Sequence, residues 1–178
     1  MLYRIRKADK KDLSQIYEIY AIARKFMRDN GNHAQWGEGD RPEDLLEEDI
    51  RQGNLYVLEE VMDGEDTDNA ENTMSEKIHA VFAFVEGPDP VYTRIEQGKW
   101  MSDSEYSAVH RVASDGIVHN VLGQIMDYCK AQRPHLRIDT HEDNKVMQHV
   151  LKKSGFERCG IVYVPDGSPR IAYEWIRK

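Results

Sequence analysis

A chain of 178 residues, 40% of them hydrophobic, is long enough to bury one core without disulfide or metal staples, and a single domain spanning 1–178 is expected. The formal net charge of −8, with no Lys/Arg-rich run, excludes a protein that tracks a nucleic-acid backbone. Two cysteines, Cys129 and Cys159, make no disulfide framework. With neither a signal peptide nor an apolar run of spanning length, the expectation is a cytoplasmic protein with no membrane partner.

The elements follow from periodicity. Leu2 to Lys7 alternates as a strand, with Tyr3 and Ile5 on one face and Arg4 and Arg6 on the other. Asp9 offers a cap, and Leu13, Ile16, Tyr17, Ile19, Tyr20 and Ala23 recur at helical spacing until Asn30-Gly31 stops the run. After the bulky loop at 32–37, Pro42 and Gly53 bracket a second helix within 40–53. Residues 55–60 and 78–86 read as adjacent strands. Between them, 62–77 is acidic and aperiodic, a mobile insertion. Gly87-Pro88-Asp89-Pro90 and Gly98-Lys99-Trp100 break regular structure, yet Val91, Tyr92, Ile95, Trp100 and Tyr106 are too apolar for a loop left in water, so this loop should pack. Residues 108–113 alternate as a strand; the turn Ser114-Asp115-Gly116 leads into an apolar helical stripe from Val118 to Cys129, and Pro134 ends it.

From Leu136 onward the signals are densest. Leu136, Ile138 and Thr140 alternate with Arg137 and Asp139, the period of a strand with two unlike faces. Asp143 or Asn144 is placed to cap a helix whose apolar stripe is Val146, Met147, Val150 and Leu151. Lys152 and Lys153 suit the dipole of its last turn, Gly155 can take the left-handed stop, and Phe156 can fold back on Leu151. Strands at 158–164 and 170–176 complete the order β, α, α, β, β, β, α, β, α, β, β.

Asn144, Met147, Val150, Leu151, Lys153, Gly155 and Phe156 resemble the second conserved block of the GNAT superfamily of acyl-CoA N-acyltransferases, and the element order resembles that family's layout over the whole chain. The resemblance implies an α/β (α+β) fold with a mixed, mostly antiparallel central sheet flanked by helices. It implies acetyl transfer from acetyl-CoA to the amine of a small molecule or peptide by direct attack. The Asp139-His141-Asp143 cluster has a strand and turn to serve, so no metal is expected, and the expectation for assembly is a monomer or homodimer. The alternative is a GNAT-fold protein that binds acyl-CoA or regulates without catalysis. In the family's first block the pattern is Arg or Gln, two residues, Gly, one residue, Gly or Ala. The matching window, Ile117 to Leu122 or Val118 to Gly123, lacks the Arg and at least one Gly.

Residue roles follow from the same resemblance. Val112, Ala113 and Ser114 would pair with the pantetheine arm, and Val118, His119, Asn120, Val121, Leu122 and Gly123 would cradle the phosphates. Asn144 and Leu151 would also face the donor. Leu151 stands where many members carry a Tyr that protonates the departing thiolate, and Leu has no proton to give. The base candidates are His110, Asp139, His141 and Glu86; His110 is preferred because histidine exchanges protons near neutral pH. Tyr163 and Tyr173 are the phenols available as acid, with Ser154 and Cys159 weaker options. Trp36, Tyr92 and Trp100 are expected to line the acceptor site.

Overall fold

The computed structural model describes residues 2–33, 35–36, 41–61 and 76–178. Residues 62–75 of the expected insertion lie outside the described residues. The elements are β1 (Leu2–Lys7), α1 (Leu13–Asp29), α2 (Leu46–Gln52), β2 (Leu55–Val61), β3 (Ile78–Glu86), β4 (Ser107–Ser114), α3 (Val121–Gln132), β5 (His135–Thr140), α4 (Lys145–Lys153), β6 (Glu157–Tyr163) and β7 (Pro169–Ile176). The strands form a seven-stranded sheet in the order β1-β2-β3-β4-β5-β7-β6. Every neighbouring pair is antiparallel except β4 and β5. The fold class and element order agree with the reading of the sequence.

Strand alternation sends side chains to two faces. On one, Leu58, Phe82, Val109, Leu136 and Ile138 pack against Ile125, Met126 and Cys129 of α3 and Leu151 of α4. On the other, Leu55, Val57, Val81 and Ala83 pack against Ile16, Ile19 and Tyr20 of α1 and Leu46 of α2. Farther along that second face the cover is the segment between β3 and β4, where Tyr92, Val91, Ile95, Trp100 and Tyr106 gather on Ala108, Val162 and Ala172. The loop packs, as its apolar content requires. Gly98 lets it approach β6: a Cβ there would stand 1.9 Å from the Cys159 carbonyl oxygen, and Lys99 N–H donates to that same oxygen at 3.0 Å.

That packing covers the polar face of β5, where Arg137 is 5% exposed. Its guanidinium lies 4.0 Å from the Trp100 ring centroid and 4.1 Å from that of Tyr106, donates to Glu174 Oε1 at 3.0 Å and reaches the Ser102 carbonyl at 2.7 Å. Two aromatic faces and two oxygens replace water around the charge.

The block around α4 forms as its residues dictate. Asn144 is the cap, its Oδ1 accepting the Met147 N–H at 3.1 Å. Gly155 has φ +79°, Phe156 N–H donates to the Leu151 carbonyl at 3.0 Å, and both side chains enter the core. The helix expected from Val118 instead begins at Val121. Asp115 Oδ1 takes the Ile117 N–H at 2.9 Å, and Asn120 sits in the left-handed region at φ 54°, a conformation Asn tolerates better than most residues.

Candidate active site

The site grows from a fork in the sheet. β4 and β5 pair over only three positions, Ser107–Val109 against Leu136–Ile138. Beyond them β4 carries a bulge: Val81 pairs with Ala113 and Ala83 with His110, so Arg111 and Val112 face one residue of β3, and Arg111 has φ 52°. A bulge bends its strand away from the neighbour, and the two strands part.

Two cavities open beside the fork. One, of about 340 Å³, is bounded by Val112, Ala113 and Ser114 of β4, the turn and first residues of α3 (Val118, Asn120, Val121, Leu122), Asn144, Met147 and Val150 of α4, and Ile22 and Phe26 of α1. Its lining is mostly apolar. Asn120 makes no side-chain cap, so the first N–H groups of the twelve-residue α3 have no capping partner from that residue, and a helix start of this kind suits an anion. Of the residues assigned to the donor from sequence, eight line this cavity. His119 and Gly123 do not. Leu151 is fully buried in the core and lines neither cavity, because the apolar stripe of α4 turns it onto the sheet.

The second cavity, of about 390 Å³, includes Trp36, Asp89, Val91, His110, Arg111, Asp139 and Arg170. Its polar centre is His110. Asp89 Oδ2 lies 2.6 Å from His110 Nε2, and Asp139 Oδ2 lies 4.0 Å from Nδ1. Tyr92 donates its hydroxyl to Asp139 Oδ2 at 2.8 Å. Burial pushes Asp89 upward, but the His110 hydrogen bond and charge outweigh it and hold that carboxyl below the ordinary aspartate range. At Asp139 burial prevails and raises the carboxyl. Burial and the Asp139 charge raise the Tyr92 phenol well above its ordinary value. Arg111 is held by Asp49 at 2.5 Å, and the Tyr20 hydroxyl donates to the Arg111 carbonyl at 2.9 Å, which fixes the bulge.

The structure therefore brings together His110, Asp139 and Trp36 from the sequence-derived set. It separates others. Tyr173 faces α3 and α4 with Ile138, across the sheet from His110, so strand alternation takes it away from this cavity. Tyr163 is exposed and donates to Glu96 Oε2 at 2.9 Å. Trp100 does not line the cavity; it stacks on Arg137, and its indole N–H donates to the Tyr92 carbonyl at 3.0 Å. Tyr92 stands behind Asp139. Glu86 is exposed and paired with Arg133. The His141 Nδ1 accepts the Asp143 N–H at 3.1 Å. Burial pushes the Cys159 thiol up to about 12. Asp89 escaped the sequence reading because it appeared only as part of a Gly/Pro breaker. Its sole signal was a carboxylate inside a loop too apolar to be free. Among the described residues no group of three or more His, Cys, Asp or Glu is placed to hold a metal ion, and no helix is long and apolar enough to cross a membrane.

No protein-family model matches the chain, and no curated protein does. Solved structures do. A GNAT-family acetyltransferase from Streptococcus agalactiae is 30% identical, with 99% of this chain and 96% of that one covered and a TM-score of 0.80. A GNAT-family acetyltransferase from Listeria monocytogenes shares the fold at 16% identity, 98% and 94% coverage and a TM-score of 0.67. The NatC complex bound to Gag peptide and CoA shares it at 8% identity, full coverage of both chains and a TM-score of 0.61. The forked sheet and the near-complete match to the streptococcal structure lead to one assignment: the chain belongs to the GNAT family of acetyltransferases.

Proposed function

We propose that this protein transfers an acetyl group from acetyl-CoA to the amine of a small molecule or peptide. The observation that carries the reading is His110, held by Asp89 at the wall of a cavity beside the fork. The apolar cleft between β4 and α4 fits the pantetheine arm of the donor, and the strand edge beyond Val109, which has no β5 partner, supplies backbone groups for it. The start of α3, where Asn120 makes no side-chain cap, supplies N–H groups for the phosphates even though the family's Arg and at least one Gly are missing, because backbone donors require no particular side chain. NatC, which has the same fold, is known bound to CoA.

The acceptor occupies the second cavity. With the Asp89 carboxylate accepting from Nε2–H, the ring is held in the tautomer that leaves Nδ1 as the basic nitrogen. His110 Nδ1 takes the proton of the attacking amine, and Asp139, 4.0 Å from it, steadies the charge that forms. Leu151 donates nothing, so the thiolate takes its proton from solvent. A second reading, acyl-CoA binding without catalysis, draws on the same Leu151.

The test is acetyl-CoA-dependent thiol release across a panel of amines. The expected result is turnover with at least one amine and a loss of about 10²–10⁴-fold in His110→Ala. Unchanged turnover and pH profile in that variant would overturn the role of His110. A melting shift with acetyl-CoA but no thiol release with any amine would establish the second reading.

A further inference from the structure

At the other end of β4 and β5 lies a third cavity, of about 480 Å³, which shares no lining residue with the two at the fork. Ser104 and His135 both line it. The Ser104 Oγ lies 2.9 Å from His135 Nδ1, and His135 Nε2 lies 2.6 Å from Glu174 Oε1. His135 is 2% exposed and Glu174 is fully buried, whereas Ser104 is exposed. A hydroxyl in solvent is thus joined through a buried imidazole to a buried carboxylate.

The hydrogen-bond directions are set by the partners. Glu174 also receives Arg137 Nε–H at 3.0 Å and the Met101 N–H, which marks it as an acceptor carboxylate. It therefore accepts from His135 Nε2–H. The neutral ring then has a lone pair at Nδ1, so Ser104 donates its own proton there. Ser102 donates to Ser104 Oγ at 3.0 Å, which orients the hydroxyl further. The Glu174 carboxylate also receives the Cys159 thiol at 3.7 Å. Ser104 sits in a loop anchored by the Arg137 stack on Trp100 and Tyr106. The backbone N–H of Glu105 makes no hydrogen bond to a described residue. It follows the serine directly, the place from which an N–H can stabilise the oxyanion of acyl transfer.

We propose that Ser104, His135 and Glu174 form a second, nucleophilic site that hydrolyses small acyl esters. Ser104 Oγ bonds to the ester carbonyl carbon while its proton passes to His135 Nδ1. The bond from that carbon to the alcohol oxygen breaks, and the alcohol departs with the proton. Water then attacks the acyl-serine through the same nitrogen, releasing the acid and restoring the Ser104 hydroxyl, so ester plus water gives acid plus alcohol. The cavity also presents Glu86, Asp103 and Glu105 against Arg133 alone, and Arg133 is paired with Glu86. Its ester is therefore neutral or cationic, not anionic.

The experiment treats the full chain, without CoA, with a fluorophosphonate probe and with p-nitrophenyl acetate. The expected results are one phosphonate adduct mapped to Ser104, and ester hydrolysis that falls about 100-fold or more in Ser104→Ala, with melting temperature and acetyl-CoA-dependent thiol release unchanged. The adduct needs no variant, so it stands even if the substitution disturbs folding. No adduct on Ser104, or hydrolysis in Ser104→Ala at the rate of the parent chain, overturns the proposal.

Discussion

Arg137 is the residue whose removal most sharply tests how the loop from Gly87 to Tyr106 is held. Its side chain is 6% exposed and Glu174, its partner, fully buried. Arg137→Ala leaves that carboxylate with one cation fewer, and breaking a buried pair in this way costs about 3–5 kcal/mol. The stacks on Trp100 and Tyr106 are lost with it, at about 0.5–2 kcal/mol each, part of which the buried-pair figure already contains. A total near 4 kcal/mol corresponds to a fall in melting temperature of roughly 10 °C for a chain of this length. Arg137→Lys should recover only part of the loss, because an ammonium keeps the charge but cannot lie flat between two rings while bonding the carboxylate. Urea unfolding and calorimetry of the parent, Arg137→Ala, Arg137→Lys and Glu174→Gln would measure both the loss and the coupling. Since this loop also carries Asp89 and Tyr92, thiol release should drop in Arg137→Ala at temperatures where it remains folded. A destabilisation below about 1 kcal/mol would refute the argument that the buried guanidinium organises the loop.

Other consequences are as direct. Gly98→Ala drives a methyl group toward the Cys159 carbonyl and should cost about 2 kcal/mol or more in urea unfolding; an unaltered midpoint would deny the close approach. Leu151→Tyr, which restores the family phenol, should destabilise by about 1–3 kcal/mol through overpacking and leave thiol release no faster, since position 151 faces the core; faster turnover would contradict that. Burial alone would raise Asp12, but the Arg6 guanidinium and the Asp9 N–H hold it below the ordinary aspartate range. A depressed carboxyl stabilises the fold above its unfolded value, about 3.9, and the contribution is lost as pH falls through the folded value. Asp12→Asn should therefore cost about 1.5–3 kcal/mol at neutral pH and flatten the acid limb of stability, and an acid limb identical to the parent's would exclude the pair from it.

Most of the fold was legible because each element carried its own period and its own stops. The Asn144 cap and the Gly155-Phe156 turn are local instructions that the chain follows; of the expected stripe, Met147 and Leu151 pack with the core, whereas Val146 is exposed and lines the first cavity with Val150. What failed to show in the sequence depends on contacts distant along the chain. The alternation on β5 gives two unlike faces but not the closure of Trp100 and Tyr106 over Arg137. The pairing of Asp89 with His110 spans 21 residues and leaves no pattern. Tyr173 looked available as an acid because a strand's period says that faces alternate but not which face holds the chemistry. Leu151 is the instructive case: its place in the family block was readable, while its burial required the helix to be seen against the sheet.

The most direct test of the central claim is thermal melting of the chain titrated with acetyl-CoA. Ligand at about 100 times its Kd adds about 2.7 kcal/mol to the stability of a protein that binds it only when folded. For this chain the expected result is a rise of roughly 5 °C or more. No shift at millimolar acetyl-CoA would contradict the claim that the fork between β4 and β5 is a donor site.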